Sequence, residues 1–257
     1  MKDNQIAKSV SVSIGAVILA ALGSLSAGEI AESQQEWFER YQKQVNAPEP
    51  ASMLLNQTPE PDLETGYVDL FNGVDLTGWT SRQGKASFEA KDGVIMGTAV
   101  PGTPSTYLCT ERDDYQDFVF TCEVKWIENL NTGVMFRAQV RETEKLAEEV
   151  YGPQVEMEGV KGERHWSGGI YGQSCGGYYY PVWLKEHEEA RKAIKREGWN
   201  RVTVEAKGKV VKTWLNGVPI AHWVGDGTFA EGFLGLQVHK AKSGQVAFRN
   251  IRVKELP

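Results

Sequence analysis

The sequence predicts an all-β protein built as a sandwich of sheets. From Tyr67 onward, short segments rich in Val, Phe, Trp and Thr recur at roughly 8–12-residue spacing, separated by Gly, Asn and Asp turns. The 27 glycines and the shortness of every helical pattern favour the same class. Residues 118–126 alternate strictly, with Phe118, Phe120 and Trp126 on one face, as expected of a strand that packs one side against a core.

The bulk composition excludes some classes of partner. A chain of 257 residues with 41% hydrophobic content forms one large domain, or one domain with small additions. The formal net charge is −6 and no basic stripe is visible, so we expect no nucleic-acid partner.

Residues 1–27 have the layout of a secretory signal peptide. Lys2 and Lys8 precede an apolar run dotted with serines, which ends in small residues near Ala27. An uncleaved membrane anchor is the alternative, since the run is just long enough to span a bilayer. We expect a periplasmic or secreted protein with no stable membrane insertion after cleavage.

Residues 28–66 contain a short polar helix over 29–45 and then an extended strap with four prolines. The sandwich domain occupies 67–257. Residues 184–198 carry charges of both signs at helical spacing and predict a helix inserted at the surface, with a solvated charged face.

Turn chemistry marks the hairpins within the sandwich. We expect one hairpin with Asp92-Gly93 at its tip, a second around Gly208, and a turn at Asn216-Gly217.

The three cysteines leave two alternatives open. Cys109 and Cys122 lie in neighbouring strand-like segments and are the best candidate disulfide pair, with Cys175 left over. The other alternative is three free thiols. No cysteine spacing resembles a zinc site.

Three predicted strands carry polar residues on one face, opposite an apolar set. This face carries the polar Arg137 and Gln139 together with Met135 in the first strand, Gln154, Glu156 and Glu158 in the second, and Gln237 and His239 in the third. A face turned to water would explain such alternation. The mixture of arginine, amides, carboxylates and histidine, however, is more typical of a surface that binds sugar hydroxyls, with aromatic rings for the C–H faces of the sugar. We expect Trp126 and Trp214 to be core residues instead.

An ordered set of motifs resembles a known family. The stretches "VDLFNGVDLTGW", "TGVMFRA", "GPQVEMEG…WSGGIYGQS", "GWNRVTVEAKGKVVKTWLNGVPI", "GLQVH" and "VAFRNIRVKEL" are together similar to the 3-keto-disaccharide hydrolase domain, also described as 3-keto-glucoside 1,2-lyase and 3-keto-2-hydroxyglucal hydratase. The resemblance covers residues 67–256. It implies a concanavalin A-like (jelly-roll) β-sandwich, usually exported, that acts on a 3-keto-glucoside or disaccharide.

The resemblance also assigns residues by position. Arg137 matches the arginine of the "F-R-A" strand, His239 the histidine of "L-Q-x-H", and 249–250 the terminal "R-N". Many members carry Glu-x-Gln where this chain has Gln154 and Glu156 in exchanged order.

The implied chemistry is an elimination followed by hydration. A base removes the proton on C2, the aglycone leaves C1, and water adds back, so the net reaction is hydrolysis. Glu156 or His239 is the candidate base, and Arg137 the candidate stabiliser of the enolate. A divalent cation held by Glu156, Glu158 and His239 is an alternative or an aid to the arginine.

The remaining expectations concern substrate binding and rival functions. The expected substrate-binding residues are Gln154, Glu158, Gln237, Tyr171, Trp79 and Gln139. A non-catalytic, lectin-like carbohydrate-binding module is the main alternative, because sandwiches of this kind host both activities. An ordinary glycosidase with paired carboxylates is the second.

Overall fold

The computed structural model describes residues 28–257. The predicted signal peptide lies outside the described residues. Between residues 28 and 257, none of the helices has the length and apolar character needed to cross a bilayer.

Two antiparallel sheets face each other, which confirms the predicted all-β sandwich. With strands numbered in chain order, the nine-stranded sheet contains β1 (Leu54–Leu55), β2 (Val68–Asp69), β4 (Ser87–Lys91), β5 (Val94–Thr98), β7 (Phe118–Glu128), β12 (Asn200–Lys207), β13 (Val210–Leu215), β14 (Val218–Val224) and β16 (Gln245–Glu255). The seven-stranded sheet contains β3 (Trp79–Arg82), β6 (Thr106–Thr110), β8 (Thr132–Arg141), β9 (Glu149–Met157), β10 (Ile170–Gln173), β11 (Gly177–Tyr180) and β15 (Phe233–Val238).

The strand order places distant segments side by side. In the nine-stranded sheet it is β1-β14-β13-β12-β7-β16-β5-β4, with β2 also paired to β16. In the seven-stranded sheet it is β11-β10-β9-β8-β15-β6-β3. Strand β15 thus lies between β6 and β8, which precede it by about a hundred residues or more in the chain.

The core lies between the sheets and follows the predicted alternation. Phe118, Phe120 and Trp126 of β7 are all buried in it. Trp214 is also buried, but on the opposite face of its sheet, where its indole N–H donates to the carbonyl of Thr58 in the strap. Both tryptophans are therefore interior residues, and the strap rather than the second sheet covers Trp214.

The predicted hairpin turns are confirmed. Lys91 pairs with Val94 across Asp92 and Gly93, which have φ of 52° and 74°. Positive φ at both central residues is the geometry that makes Asp-Gly a preferred hairpin turn, because its twist matches that of the strands. The turn at 216–217 has the same signature.

The segment before the sandwich contains the predicted helix in shortened form. A 3-10 helix, Glu32–Gln34, leads into α1, Gln35–Tyr41. The strap then makes a 3-10 turn at Pro50–Ser52 and contributes β1 to the edge of the nine-stranded sheet.

The inserted helix is also shorter than predicted. It consists of a 3-10 turn, Lys185–His187, and α2, Glu188–Lys192. Lys185, Glu186, Glu188, Glu189 and Lys192 are exposed and Arg191 is half-buried, whereas His187 and Ala190 face inward and are buried. The solvated charged face that the sequence predicts is confirmed.

The three cysteines are free thiols. Cys109 lies on β6 of the seven-stranded sheet and Cys122 on β7 of the nine-stranded sheet. The candidate pairing of Cys109 with Cys122 is wrong, because the consecutive strands β6 and β7 that carry them belong to opposite sheets.

A bulge in β8 reverses the predicted alternation. The register with β9 shifts between Met135 and Gln139, and Arg137 within the shift has a φ of 46°. Val134 and Phe136 face the main core, but Ala138, which strict alternation would place on the same face, lies in the small cluster on the other side with Met135. A bulge inserts an extra residue, so it turns the following side chains to the opposite face.

Candidate active site

A cavity of about 540 Å³ lies on the face of the seven-stranded sheet that is turned away from the core. This volume is in the range of small-molecule sites. It is lined by four strands, β9, β10, β11 and β15, by the β9–β10 loop, by residues that flank β3, β6, β8 and β15, and by the end of α1 with the segment that follows. These residues are Tyr41, Gln44, Gln83, Pro104, Ser105, Asn131, Gln154, Glu156, Arg164, Tyr171, Gln173, Tyr178, Gln237, His239 and Lys240.

The floor of the cavity is a cross-strand row. Gly133 on β8 is the register partner of Glu156 on one side and of Gln237 on the other. A Cβ on Gly133 would lie 2.4 Å from the amide nitrogen of Gln154, so only glycine leaves room for that side chain. Neighbouring strands lie about 4.8 Å apart, which separates the backbones of Glu156 and Gln237 by roughly 10 Å. The missing side chain therefore opens the space between them.

The polar face of β9 is buried rather than solvated. Val155 and Met157 point into the main core, while Gln154 and Glu156 point to the cavity and are only 1% and 4% exposed. Buried polar groups need partners, so this face has to be a structured site.

The Glu156 carboxylate is held by three donors. Asn131 Nδ2 donates to Oε1 at 2.6 Å, Arg164 Nη2 to the same oxygen at 3.2 Å, and Gln154 Nε2 to Oε2 at 3.2 Å. Burial raises the pKa of Glu156, and the nearby Arg164 guanidinium opposes that rise without cancelling it. The group is oriented, and its proton affinity exceeds that of an ordinary glutamate.

Arg164 is the cation of the cavity. It lies in the loop between β9 and β10, where its Nε donates to Glu158 Oε1 at 2.6 Å and its Nη1 donates to the Tyr178 hydroxyl. Together with the bond to Glu156, three of its five N–H groups have partners within the described residues, which leaves two for a ligand. Sequence reasoning missed Arg164, because a loop residue belongs to no alternating pattern.

His239 follows β15 directly and presents one nitrogen to the cavity. Its Nδ1 lies 3.0 Å from the Lys240 carbonyl, which can only accept, so Nδ1 carries the hydrogen. In the neutral ring, Nε2 then holds the free lone pair. Burial lowers the pKa of His239, and the positive charges of Lys240 and Arg164 act in the same direction. The imidazole is therefore a neutral base at neutral pH.

Two buried amide oxygens at the cavity have no donor. Within residues 28–257, Gln154 Oε1 and Gln237 Oε1 lack a hydrogen-bond partner. The amide nitrogen of Gln237 is engaged, by Tyr107 at 3.2 Å and by Gln173 at 3.4 Å. An unpaired buried acceptor is costly, and a ligand with hydroxyl donors would relieve that cost.

Five of the nine predicted site residues line the cavity. The predicted candidate base residues Glu156 and His239 do so, and so do Gln154, Gln237 and Tyr171. The ring of Tyr171 lies 4.9 Å from that of Tyr178, and burial raises its pKa.

Arg137 does not reach the cavity, contrary to the sequence-based expectation. The β8 bulge directs it away, and its guanidinium bonds Asp117 and three backbone carbonyls elsewhere. The arginine that lies beside Glu156 is Arg164 instead.

Three further predicted residues also lie outside the cavity. Trp79 is in the main core and donates to the Leu70 carbonyl. Gln139 follows the bulge and accepts a hydrogen bond from the Tyr151 hydroxyl at 2.6 Å. Glu158 lies just past the end of β9 and pairs with Arg164, so it supports a cavity residue without lining the cavity itself.

The predicted cation ligands Glu156, Glu158 and His239 do not form a metal-binding cluster. In the described part of the chain, no group of three His, Cys, Asp or Glu side chains is arranged to hold a metal ion. Glu156 and Glu158 are both turned to Arg164 instead.

Solved structures share this fold. A candidate glycosyl hydrolase from Parabacteroides distasonis ATCC 8503 superposes with a TM-score of 0.53 and 22% identity, covering 75% of this chain and 94% of that chain. A protein of unknown function with a galectin-like fold from Bacillus subtilis gives 0.52 and 13%, covering 70% and 90%. At these identities the likeness shows the fold alone. A search of the curated proteins finds no match.

The family is shown by a sequence match to the sandwich domain. The model of the 3-keto-alpha-glucoside-1,2-lyase-like domain matches residues 66–254. This range is most of the chain, and it includes Asn131, Glu156, Arg164 and His239. The chain therefore belongs to the 3-keto-disaccharide hydrolase family, and its function concerns carbohydrate.

Proposed function

We propose that the protein cleaves 3-keto-glycosides by proton abstraction at C2, elimination of the C1 aglycone and rehydration. The observation that carries the proposal is the pairing of Glu156 and His239 at one cavity, with their pKa values displaced in opposite directions. Burial opposes the charged form of both groups, so it favours a protonated carboxyl that can act as an acid and a neutral imidazole that can act as a base.

His239 acts as the base. Its Nε2 lone pair takes the C2 proton, which the adjacent ketone has acidified, and the electron pair forms the enolate on O3. The enolate then collapses with formation of the C1–C2 double bond and departure of the aglycone oxygen from C1. Glu156, whose raised pKa favours the protonated form, gives its proton to that oxygen.

The free N–H groups of Arg164 stabilise the enolate. Before substrate arrives, the guanidinium is fixed by the Glu158 carboxylate, the Tyr178 hydroxyl and the Oε1 atom of Glu156, so little reorganisation is needed as negative charge develops on O3. Water then adds across the double bond, His239 returns its proton to C2, and Glu156 takes one from the water. Net hydrolysis of the glycosidic bond results.

The amide oxygens bind the sugar. The unpaired acceptors Gln154 Oε1 and Gln237 Oε1 suit hydroxyl donors of the substrate, and the ring of Tyr171 suits its C–H face. A hydroxylated ligand thus supplies the hydrogen-bond donors that the two buried amide oxygens lack.

The test compares a 3-keto-glucoside with its unoxidised parent and follows aglycone release. We expect cleavage of the keto form alone, and at least a hundredfold loss of kcat in Glu156→Gln and in His239→Gln. Glu149→Gln is the matched control, because this glutamate lies on the same strand and pairs with an arginine, Arg141, but outside the cavity.

Other outcomes would contradict the proposal. Cleavage of both substrates indicates an ordinary glycosidase, and sugar binding without turnover indicates the lectin-like module. Wild-type rates in both Glu156→Gln and His239→Gln would show that neither residue takes part in the reaction.

Export belongs to the same proposal and rests on the sequence of residues 1–27. N-terminal sequencing of protein from a secreting host is expected to give a mature chain that starts near residue 28. A periplasmic or culture-medium fraction that retains Met1 would contradict cleavage.

A further inference from the structure

The N-terminal arm, residues 31–46, lies outside the family domain yet reaches the candidate active site. The family match begins at residue 66, but Tyr41 and Gln44 of the arm line the cavity. We propose that the arm is a positioning element of the active site, which holds Arg164 in place beside Glu156. This inference rests on the proposed function of the cavity.

The first contact is an aromatic cage around the Arg164 guanidinium. The Cζ atom lies 5.8 Å from the ring centre of Tyr41, 5.5 Å from that of Trp166 and 5.3 Å from that of Tyr178. All three distances are within the range of cation–π attraction. Tyr41 meets the other two rings edge to face, at 5.3 Å and 5.6 Å. One of the three cage walls is thus supplied by the arm.

The second contact fixes the loop that carries Arg164. Gln34 is 1% exposed, and both ends of its amide are used: Nε2 donates to the Arg164 carbonyl at 3.1 Å, and Oε1 accepts from the Trp166 indole at 2.6 Å. His165 between them has a φ of 62°, a left-handed conformation that is costly for a histidine. Gln34 therefore holds both residues that flank His165, and so stabilises a turn whose backbone conformation is unfavourable.

The third contact fixes another cage wall. Gln44 Oε1 accepts from the backbone N–H of Tyr178 at 3.0 Å, and Asn46 Nδ2 donates to the Cys175 carbonyl at 2.6 Å. The arm thus ties down the β10–β11 turn at Cys175 and the start of β11, which carries Tyr178.

The ion pairs of Arg164 show why such support matters. The bond to Glu158 is 2.6 Å, but the bond to Glu156 is 3.2 Å. A small outward movement would break the longer bond first and leave Arg164 with Glu158 alone. Small displacements of a positioned group cost large factors in rate.

The test removes the Tyr41 ring and follows Glu156 directly. In Tyr41→Leu, we expect kcat to fall roughly tenfold with KM little changed. We also expect the ionisation of Glu156 to move to higher pH, because the Arg164 charge that favours its carboxylate has moved away. Carbon-13 NMR of carboxyl-labelled protein without substrate measures that ionisation, with Glu156→Gln to assign the signal.

The interpretation of that shift requires the neighbours of Glu156 to stay constant. Besides Arg164, the charged or titratable groups that act on it are Glu158, Tyr171 and Tyr178, and His239 and Lys240 line the same cavity. The pKa values of both tyrosines are raised, so they remain neutral over the range of the titration.

Two variants serve as controls. Tyr41→Phe keeps the ring and should retain the wild-type ionisation of Glu156. Phe38→Leu removes a ring of the same helix that packs on Trp183 at 5.0 Å and not on Arg164, so it loosens the arm without opening the cage. It should also leave Glu156 unchanged. If Tyr41→Leu does not fold, Gln34→Met removes the two clamp bonds at nearly constant volume and should give the same shift.

The two proposals fail in different ways. A folded Tyr41→Leu or Gln34→Met protein with wild-type kcat and unshifted Glu156 would overturn the role of the arm. If the wild type turns over no 3-keto-glycoside, the proposed function fails, while the NMR titration still decides whether the arm positions Arg164.

Discussion

The buried guanidinium of Arg137 is a structural centre rather than part of the cavity. Its side chain is 3% exposed, lies 6.0 Å above the Phe118 ring and pairs with Asp117 at 3.0 Å. It also donates to the carbonyls of Gln116, Gly208 and Phe229. These bonds join the start of β7 to the β12–β13 turn and to the chain that leads into β15.

We predict that Arg137→Lys lowers the free energy of unfolding by about 3 kcal/mol. Lysine keeps the charge but cannot make the forked set of bonds, so buried carbonyls lose their donors. Urea unfolding measures the loss, and kcat of the folded protein should stay within about twofold of wild type. Arg141→Lys, an exposed arginine on the same strand, should change stability by less than about 0.5 kcal/mol. A loss of kcat without a loss of stability would indicate that Arg137 contributes to catalysis.

The opposite pKa displacements of Glu156 and His239 in the free protein predict a bell-shaped dependence of kcat/KM on pH. The acidic limb reports protonation of His239 and should lie below the ordinary histidine value, since burial lowers its pKa. The alkaline limb reports loss of the Glu156 proton and should lie above the ordinary glutamate value, since burial raises its pKa. Residual activity in His239→Gln should lack the acidic limb. A profile without either limb would contradict the assignment.

At the scale of elements, one buried histidine joins the strap, β11 and the inserted helix. His187 Nδ1 accepts from the Leu184 N–H at 3.2 Å, and its Nε2 lies 3.0 Å from the Tyr180 hydroxyl. That hydroxyl donates to the carbonyl of Leu54 in β1. The ring is therefore neutral with its hydrogen on Nε2, and burial lowers its pKa to about 3.

This histidine predicts a loss of stability in acid. The unfolded chain binds a proton near the ordinary value of 6.5, whereas the folded chain resists it down to about 3. Between these values the unfolded state holds more protons than the folded state. As the pH is lowered through this range, His187 therefore reduces the free energy of unfolding by about 1.4 kcal/mol per pH unit. Thermal unfolding of His187→Asn should show a smaller fall of Tm between pH 6.5 and 4. His165→Asn, at an exposed position, should retain the wild-type slope, and equal slopes in all three proteins would refute the prediction.

At the scale of the whole molecule, the two layers keep the cysteines apart. Cys109 and Cys122 belong to different sheets, and burial raises the pKa of both thiols. We predict three titratable thiols per denatured chain in the absence of reductant, at most one that reacts in the native protein, and a Tm that dithiothreitol does not alter. Fewer than three thiols in the denatured chain would show that a disulfide forms.

The whole fold also assembles the cavity from distant parts of the chain. Tyr41 comes from the arm, Asn131 precedes β8, Glu156 lies on β9, Arg164 in the following loop and His239 after β15. The strand order that places β15 beside β8 brings the last of these to the others.

By itself, the sequence determined the sandwich, the hairpin turns and the polar face of β9 that holds Gln154 and Glu156. Alternation and turn chemistry depend on residues adjacent in the chain, so they can be read locally. Only the tertiary structure decided which arginine meets Glu156. A bulge inverts the face at Arg137, and Arg164 reaches the carboxylate from an irregular loop supported by a segment more than a hundred residues away. Neither a local reversal of alternation nor a contact between distant segments is encoded in the periodicity of a strand.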